Sequence, residues 1–475
     1  MPVLSLLIAH YEPGKTRPFF VLFIYLSKLS IYDTMIFMNS AYRKANLILT
    51  ATLTGIIIFS GCTKKEVKKV EKQESEVITQ NNIPDEPSTN GLGIPDSKYE
   101  QIIPKSLVTT GNNYMVKQVL QKMKAGEEVI YAAIGGSVTE GAGPASYKEG
   151  YVYQFKDLFI QKYAADQSKV KFIPAGIGGT PSAMGVVRYQ KDVVAPAGRD
   201  PDLLIIEFAV NDWLECSKTR AIEYIVRNAL EHNTAVIMLY GAATYQNQQG
   251  QIKPVADFYK LPQVSISDAL LYSGVNQEKN SKVYYSDYVH PTRYGHTFMA
   301  RCLMNLIDTI DLQPMDEKAE LPAGYKNANA FTNFFTVSAA TTDKNVNIQS
   351  GTFCTKDEAI QAYSHGGKCF PENWAKPAGD SSSTSENLPF TMSLECKSLI
   401  MVYKNADNNN FGKAEVYIDG VLKNTYIGHE EGGWNNCQVV MIIDEQQSEQ
   451  HTVEIKMAAG DENKAFTILA FGYSK

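Results

Sequence analysis

Residues 129–141 read Val129-Ile130-Tyr131-Ala132-Ala133-Ile134-Gly135-Gly136-Ser137-Val138-Thr139-Glu140-Gly141. Six apolar, β-prone residues run into two glycines and a serine. A short continuous apolar run closed by glycine reads as a buried strand. The glycines let the backbone turn sharply, and a serine at such a turn exposes its hydroxyl at the carboxyl end of the strand. In open α/β sheets ligands bind at those ends. Taken alone, Gly-Gly-Ser after a strand is more often a plain turn than a catalytic one.

Working outward, further strand-like runs occur at Val170–Ile173, Leu203–Val210 (apolar except for Glu207), Ala235–Tyr240 and Val264–Ser267. Helical spacing separates them: Tyr151–Tyr163 with Phe155, Leu158 and Phe159 on one face, Ala221–His232, and a closing helix over Gly295–Leu306. Strands rich in Val, Ile and Leu alternating with helices predict a three-layer α/β domain over residues 98–313, a parallel sheet covered on both faces. Three more blocks fall at or near strand ends or on late loops. They are Gly176-Ile177-Gly178-Gly179-Thr180, Phe208-Ala209-Val210-Asn211-Asp212 and Asp287-Tyr288-Val289-His290-Pro291.

The four blocks, in this order and at this wide spacing, resemble the SGNH (GDSL-like) hydrolases. Gly135-Gly136-Ser137 with Gly141 is similar to the family's nucleophile block, and Gly179 to its oxyanion glycine. Ala209-Val210-Asn211-Asp212 is similar to its G-x-N-D block, and Asp287-Tyr288-Val289-His290 to its D-x-x-H block. Three positions depart from the pattern: Gly136 replaces an Asp, Pro174 an Asn and Ala209 a Gly. None of these removes a group that does chemistry. The resemblance implies a flavodoxin-like fold and a serine esterase with Ser137 as nucleophile, His290 as its base and Asp287 orienting the imidazole. It places the Ser137 N–H, the Gly179 N–H and the Asn211 carboxamide in the oxyanion hole, and it implies no cofactor and no metal. The rival elbow G-x-S-x-G fails at Thr139, and no phosphate loop of the G-K-[ST] type occurs. Trp213 and Tyr288 flank motif residues, as pocket lining or as ordinary packing. His296 reads as a structural or pocket residue.

After Leu321-Pro322 the helical periodicity stops. Strand-like runs appear at Phe390–Leu394, Ser398–Tyr403, Ala414–Ile418, Val439–Ile443, His451–Met457 and Phe466–Gly472, with a hairpin signal at Asp419-Gly420. Residues 322–475 are therefore expected to form an all-β sandwich of jelly-roll type. Such a domain either binds glycan, with Trp374, Trp434 or tyrosines stacking on sugar rings, or stabilises the catalytic unit by packing on it.

The start of the chain reads as an address. Arg43 and Lys44 precede the apolar run Ala45–Phe59, and Phe59-Ser60-Gly61-Cys62 resembles a bacterial lipobox, with Phe59 where Leu is usual. Residues 1–62 are thus an extension plus lipoprotein signal, with translation starting at Met35 or Met38 and Cys62 as the lipidation site. The other readings are an uncleaved signal anchor and a stretch of buried helix. Polar residues 63–97 read as a disordered tether. The expected location is the bacterial cell surface, held to the membrane by a lipid anchor.

The bulk numbers agree with this layout. The 475 residues suggest two or three folded units, and a net charge of −6 argues against a nucleic-acid binder. Seven cysteines include no C-x-x-C pair, so a zinc site is not expected. Four of them lie after residue 350, with Cys354 and Cys369 nearest in sequence, either bridged or free and buried. The expected partner is an acylated carbohydrate, from which an acetyl group is removed. The alternatives are a lipase or thioesterase on acyl lipids, a glycan-binding protein with secondary or no esterase activity, and an acetyl transferase. The oligomeric state stays open.

Overall fold

The computed structural model describes residues 88–273, 281–341, 343–379 and 388–475. The export signal, Cys62 and most of the expected tether lie outside the described residues. The tether ends sooner than expected, because Leu92 and Ile94 are buried and helix α1 (Asp96–Ile102) follows at once.

Strand β2 (Val129–Gly135) is buried along its whole length. Its side chains alternate between two cores, as the pleat requires. Val129, Tyr131 and Ala133 face one core with α2 (Tyr114–Lys124), α4 (Tyr151–Tyr163) and α9 (Arg293–Leu312). Ile130, Ala132 and Ile134 face the other core with α5 (Ser182–Tyr189), α6 (Arg220–Glu231) and α7 (Gln249–Phe258). This is the expected three-layer arrangement. Around β2 the sheet order is β1-β6-β5-β4-β2-β3, with β3 at Val170–Gly176, β4 at Leu203–Glu207, β5 at Ala235–Tyr240 and β6 at Gln263–Ser265. Strands β2 to β6 run parallel. The expected all-parallel sheet needs one correction: β1 (Leu107–Thr109) adds an antiparallel edge against β6. Three residues with no period carry no sequence signal. A short helix, α3 (Ser137–Glu140), follows β2 directly, and α8 (Ile266–Ser273) follows β6.

The C-terminal region is all antiparallel. Its strands are β7 (Phe334–Val337), β8 (Val346–Gln349), β9 (Trp374–Lys376), β10 (Phe390–Ala406), β11 (Lys413–Ile418), β12 (Val421–Ile427), β13 (Trp434–Met457) and β14 (Phe466–Ser474). Two pairs of expected strands turn out to be single long ones, β10 and β13. Both bend at a large bulge, where pairing jumps from Cys396↔Glu449 to Ser398↔Asp444. Beyond the bend β10 pairs with β14, and before it with β8. The sheet thereby folds onto itself: Phe390 from one half stacks on Phe471 from the other at 5.6 Å. Bulges supply such bends, and the result is the expected sandwich. Trp374 is buried inside it against Phe390 and Phe471, so it is a core residue and not a sugar platform.

Ile400, Val402, Leu469 and Ala470 of the sandwich belong to the same buried cluster as α5 and α6. The buried Arg220 guanidinium donates to Asp444 Oδ1 at 2.7 Å and Oδ2 at 3.0 Å and lies 5.1 Å from the Phe331 ring centre. Glu223 accepts from the Asn327 backbone and side chain at 2.9 and 2.8 Å, fixing the connecting segment on α6. A shared core and bidentate pairs of this kind couple two regions energetically. Chemical denaturation of residues 88–475 should therefore give one cooperative transition. Asp444→Ala should lower its free energy by about 1–3 kcal/mol, the cost of leaving a buried donor unmet. Two separate transitions for helix and sheet signals would contradict the shared core.

Candidate active site

Ser137 is the first residue of α3, at the carboxyl end of β2. The turn requires Gly136, because a Cβ there would lie 2.1 Å from Asn211 Oδ1. The carboxamide of Asn211 occupies the space that a side chain at residue 136 would need. On the loop before α9, His290 Nε2 lies 2.8 Å from Ser137 Oγ. His290 Nδ1 lies 2.6 Å from Asp287 Oδ2, while Asp287 Oδ1 accepts from the Val289 and His290 N–H groups, each at 2.8 Å. Burial opposes the charge on Asp287, but the two backbone N–H groups and the imidazole outweigh it and hold its carboxyl below the usual value. Asp287 thus stays ionised, orients the ring and favours the proton on Nδ1. That leaves Nε2 free to accept from the serine.

Of the expected oxyanion groups, Asn211 lies beside the serine turn. Asn211, 8 % exposed, lies against Gly136, and its Nδ2 makes no hydrogen bond to a described residue. The Ser137 and Gly179 N–H groups likewise have no acceptor among the described residues. Gly179 has φ +68°, the left-handed region that favours glycine. Asp212 accepts from the Ser182 N–H at 2.7 Å, which ties the Asn211 loop to the segment after Gly179. Burial pushes the Asp212 carboxyl well up, with Glu215 adding to the effect.

Several residues that hold the site carried no motif. The buried Arg188 donates to the carbonyls of Ala175 (2.6 Å) and Gly135 (2.8 Å), pinning the ends of β3 and β2. His296 is buried, with Nδ1 accepting from the Tyr151 N–H at 3.1 Å and Nε2 3.0 Å from the Ala142 carbonyl. Burial pushes its imidazole down to about 4, so it is neutral and structural. From the sandwich come Trp434 and Gln361. A Cβ on Gly179 would lie 3.4 Å from Trp434 Cζ2, and the indole is 53 % exposed. Gln361 Nε2 donates to the Gly178 carbonyl at 2.8 Å. Trp213 and Tyr288 are exposed on the rim near Asn211 and His290. The six described cysteines are free, so Cys354 and Cys369 are not bridged. Cys369 and Cys437 are buried, and Cys354 is exposed. Among the described residues no group of His, Cys, Asp and Glu has the arrangement of a metal site.

Glu207, the one charge in the β4 run, is fully buried and accepts from Thr139 Oγ1 at 3.2 Å. Burial pushes its carboxyl up to about 7, against the pull of Thr139 and the Gly241 and Val210 N–H groups. A folded-state pKa above the unfolded value means that the native state holds the extra proton. Stability from this group is therefore full below pH 4.5 and is lost as the pH rises through 7. Glu207→Gln removes this titration. Relative to wild type, its unfolding free energy should improve by up to about 3 kcal/mol between pH 4.5 and 8. Urea unfolding across that range checks this, and a difference that does not vary with pH would refute it.

A family comparison finds the GDSL-like lipase/acylhydrolase family over residues 133–298. Among solved structures, the chain is similar to a two-domain esterase (CEX) active on acetylated mannans. The match has a TM-score of 0.65 and 23 % identity and covers 80 % of this chain and 98 % of that one. The same esterase co-crystallised with mannopentaose matches with a TM-score of 0.64, 22 % identity and the same coverage. These likenesses show a shared two-domain fold. No match was found among curated proteins. Residues 133–298, which span all four sequence blocks, match the GDSL-like lipase/acylhydrolase family, and this region makes the protein a serine carboxylic-ester hydrolase.

Proposed function

We propose that the chain removes small acyl groups, foremost O-acetyl, from poly- or oligosaccharides at the bacterial cell surface, where a lipid on Cys62 holds it. The observation that carries the carbohydrate reading is Trp434. It is an exposed indole from the second domain, standing beside the oxyanion glycine and within reach of a sugar ring whose acetyl group enters the site. Indole faces bind the C–H faces of sugars, while the rim residues Trp213 and Tyr288 offer further aromatic surface. The similarity to an esterase active on acetylated mannans supports the same substrate class.

In this reading Ser137 Oγ attacks the ester carbonyl carbon while His290 Nε2 takes its proton. The carbonyl oxygen becomes an oxyanion that accepts from the Ser137 N–H, the Gly179 N–H and Asn211 Nδ2. The carbon–oxygen bond to the sugar then breaks, and His290 returns the proton to the sugar oxygen. His290 then takes a proton from water, which attacks the acetyl carbonyl carbon; the bond to Ser137 Oγ breaks, His290 returns the proton to Oγ, and acetate leaves. Asp287 stabilises the imidazolium in both halves of the cycle. One oxyanion donor is worth about 2.7–4 kcal/mol of barrier.

Two measurements test this. Asn211→Ala should fold normally by circular dichroism yet lose about 100- to 1,000-fold in kcat on aryl acetates. Near-normal turnover would remove Asn211 from the oxyanion hole. Acetate release should also be followed from acetylated mannan, acetylated xylan and acetyl, butyryl and octanoyl aryl esters. Short acyl chains should be preferred, Ser137→Ala should be inactive, and Trp434→Ala should raise KM on acetylated glycan by a larger factor than on aryl acetate. Activity rising with chain length would favour a lipase, and no Ser137-dependent release would leave a glycan-binding role.

A further inference from the structure

Gly178 and Gly179 share one peptide unit. In a planar trans peptide the carbonyl and the following N–H point in opposite directions. Whatever fixes the Gly178 carbonyl therefore aims the Gly179 N–H. Between two glycines that plane has little steric reason to stay put, since a flip costs no Cβ clash. The catalytic domain offers the Gly178 carbonyl no hydrogen-bond donor among the described residues. Its partner is Gln361 Nε2, at 2.8 Å, from the chain beyond the connecting segment.

The orientation of that carboxamide is itself determined. Gln361 Oε1 accepts from the Cys437 N–H at 2.9 Å. A backbone N–H only donates, so the oxygen must face Cys437 and the NH₂ must face Gly178. The Gln361 backbone carbonyl accepts from the Cys369 N–H at 2.9 Å, which anchors the residue from behind. Gln361 is 4 % exposed, so water does not compete for these bonds. Two neighbouring contacts close the same junction. The Ser364 N–H donates to Glu140 Oε1 at 3.0 Å, and Trp434 packs against both glycines.

We infer that Gln361 is a positioning residue for the oxyanion hole: the β-sandwich, through this one carboxamide, sets the peptide plane whose N–H receives the developing negative charge. This rests on the reading of Gly179 as an oxyanion donor. The second domain then takes part in turnover of every ester, including substrates too small to touch its surface.

The test uses the whole protein and 4-nitrophenyl acetate, which is too small to need Trp434. Gln361→Leu removes both hydrogen bonds. Gln361→Met keeps the length of the side chain and removes the same two bonds. With thermal unfolding followed in parallel, each folded variant should lose about 10- to 100-fold in kcat, since a misdirected donor is a partly lost one. KM should stay within about twofold and the midpoint of the acid limb should not move, because His290 is untouched. Gln361→Met should lose about as much as Gln361→Leu. A merely structural role would lower the unfolding temperature without this kcat-only loss. If the leucine variant does not fold, the methionine variant, closer to glutamine in shape, decides. Turnover within about twofold of wild type in a folded variant, with Ser137→Ala inactive, would overturn the role of Gln361 and leave the serine mechanism standing. Wild-type turnover that survives Ser137→Ala would overturn the underlying reading instead.

Discussion

The 2.8 Å contact between His290 Nε2 and Ser137 Oγ joins two loops that lie 153 residues apart in sequence. Its geometry depends on everything that holds those loops. Ser137 is fixed by the buried strand β2 and by the start of α3. His290 is fixed by Asp287, which binds the ring through one oxygen and two backbone N–H groups through the other. The loops also meet directly: a Cβ on Gly143 would lie 2.1 Å from the Pro291 carbonyl, so the two backbones pack with no side chain between them. A serine hydroxyl is a weak nucleophile until a base is held in reach, so small displacements of either loop translate into lost rate.

The second feature is the density of buried polar groups behind the serine. Arg188, Glu207, Asp212 and His296 are each nine-tenths or more buried, and each holds a segment of the site. Burying such groups is expensive, and apolar residues of similar volume would often stabilise the protein more. What they add here is direction. Arg188 binds the strand-end carbonyls, His296 links Tyr151 to Ala142, and Glu207 lies under Thr139. These bonds are satisfied only when the turn, the oxyanion segments and the helices are in register. The cost in stability accompanies a preorganised site.

The sandwich belongs to this economy of position. Its inner face shares a core with α5 and α6, and Arg220 reaches into it to pair with Asp444. One corner then delivers Gln361 and Trp434 to Gly178 and Gly179. The bulge in β10 and β13 lets one long ribbon serve both leaves, so that the Trp434 end of β13 lies in the leaf that meets the catalytic domain. An accessory domain tethered only by a flexible linker could supply affinity, but not contacts of this accuracy.

The layered α/β fold and the four blocks were legible in the sequence, because each is written locally. A buried strand announces itself by its run of apolar residues, and a nucleophile turn by its glycines. The Asp287–His290 pair sits within one turn of chain. The sandwich was legible as strands, though two were read as four, since a bulge interrupts the alternation that marks a strand. Even the anomaly at Glu207 was visible as a single charge in an apolar run, with nothing local to say what it met. What no local pattern encodes is which distant group completes a hydrogen bond. Trp374 and Trp434 look alike in sequence, yet one lies in the sandwich core and the other stands exposed beside Gly179. The antiparallel edge β1 is too short to have a period. Gln361 is an ordinary glutamine until the fold sets it against Gly178. Sequence determines the propensities of short segments and the chemistry that each side chain can perform; only the tertiary structure decides partners, because partnership depends on the relative placement of segments that packing alone brings together.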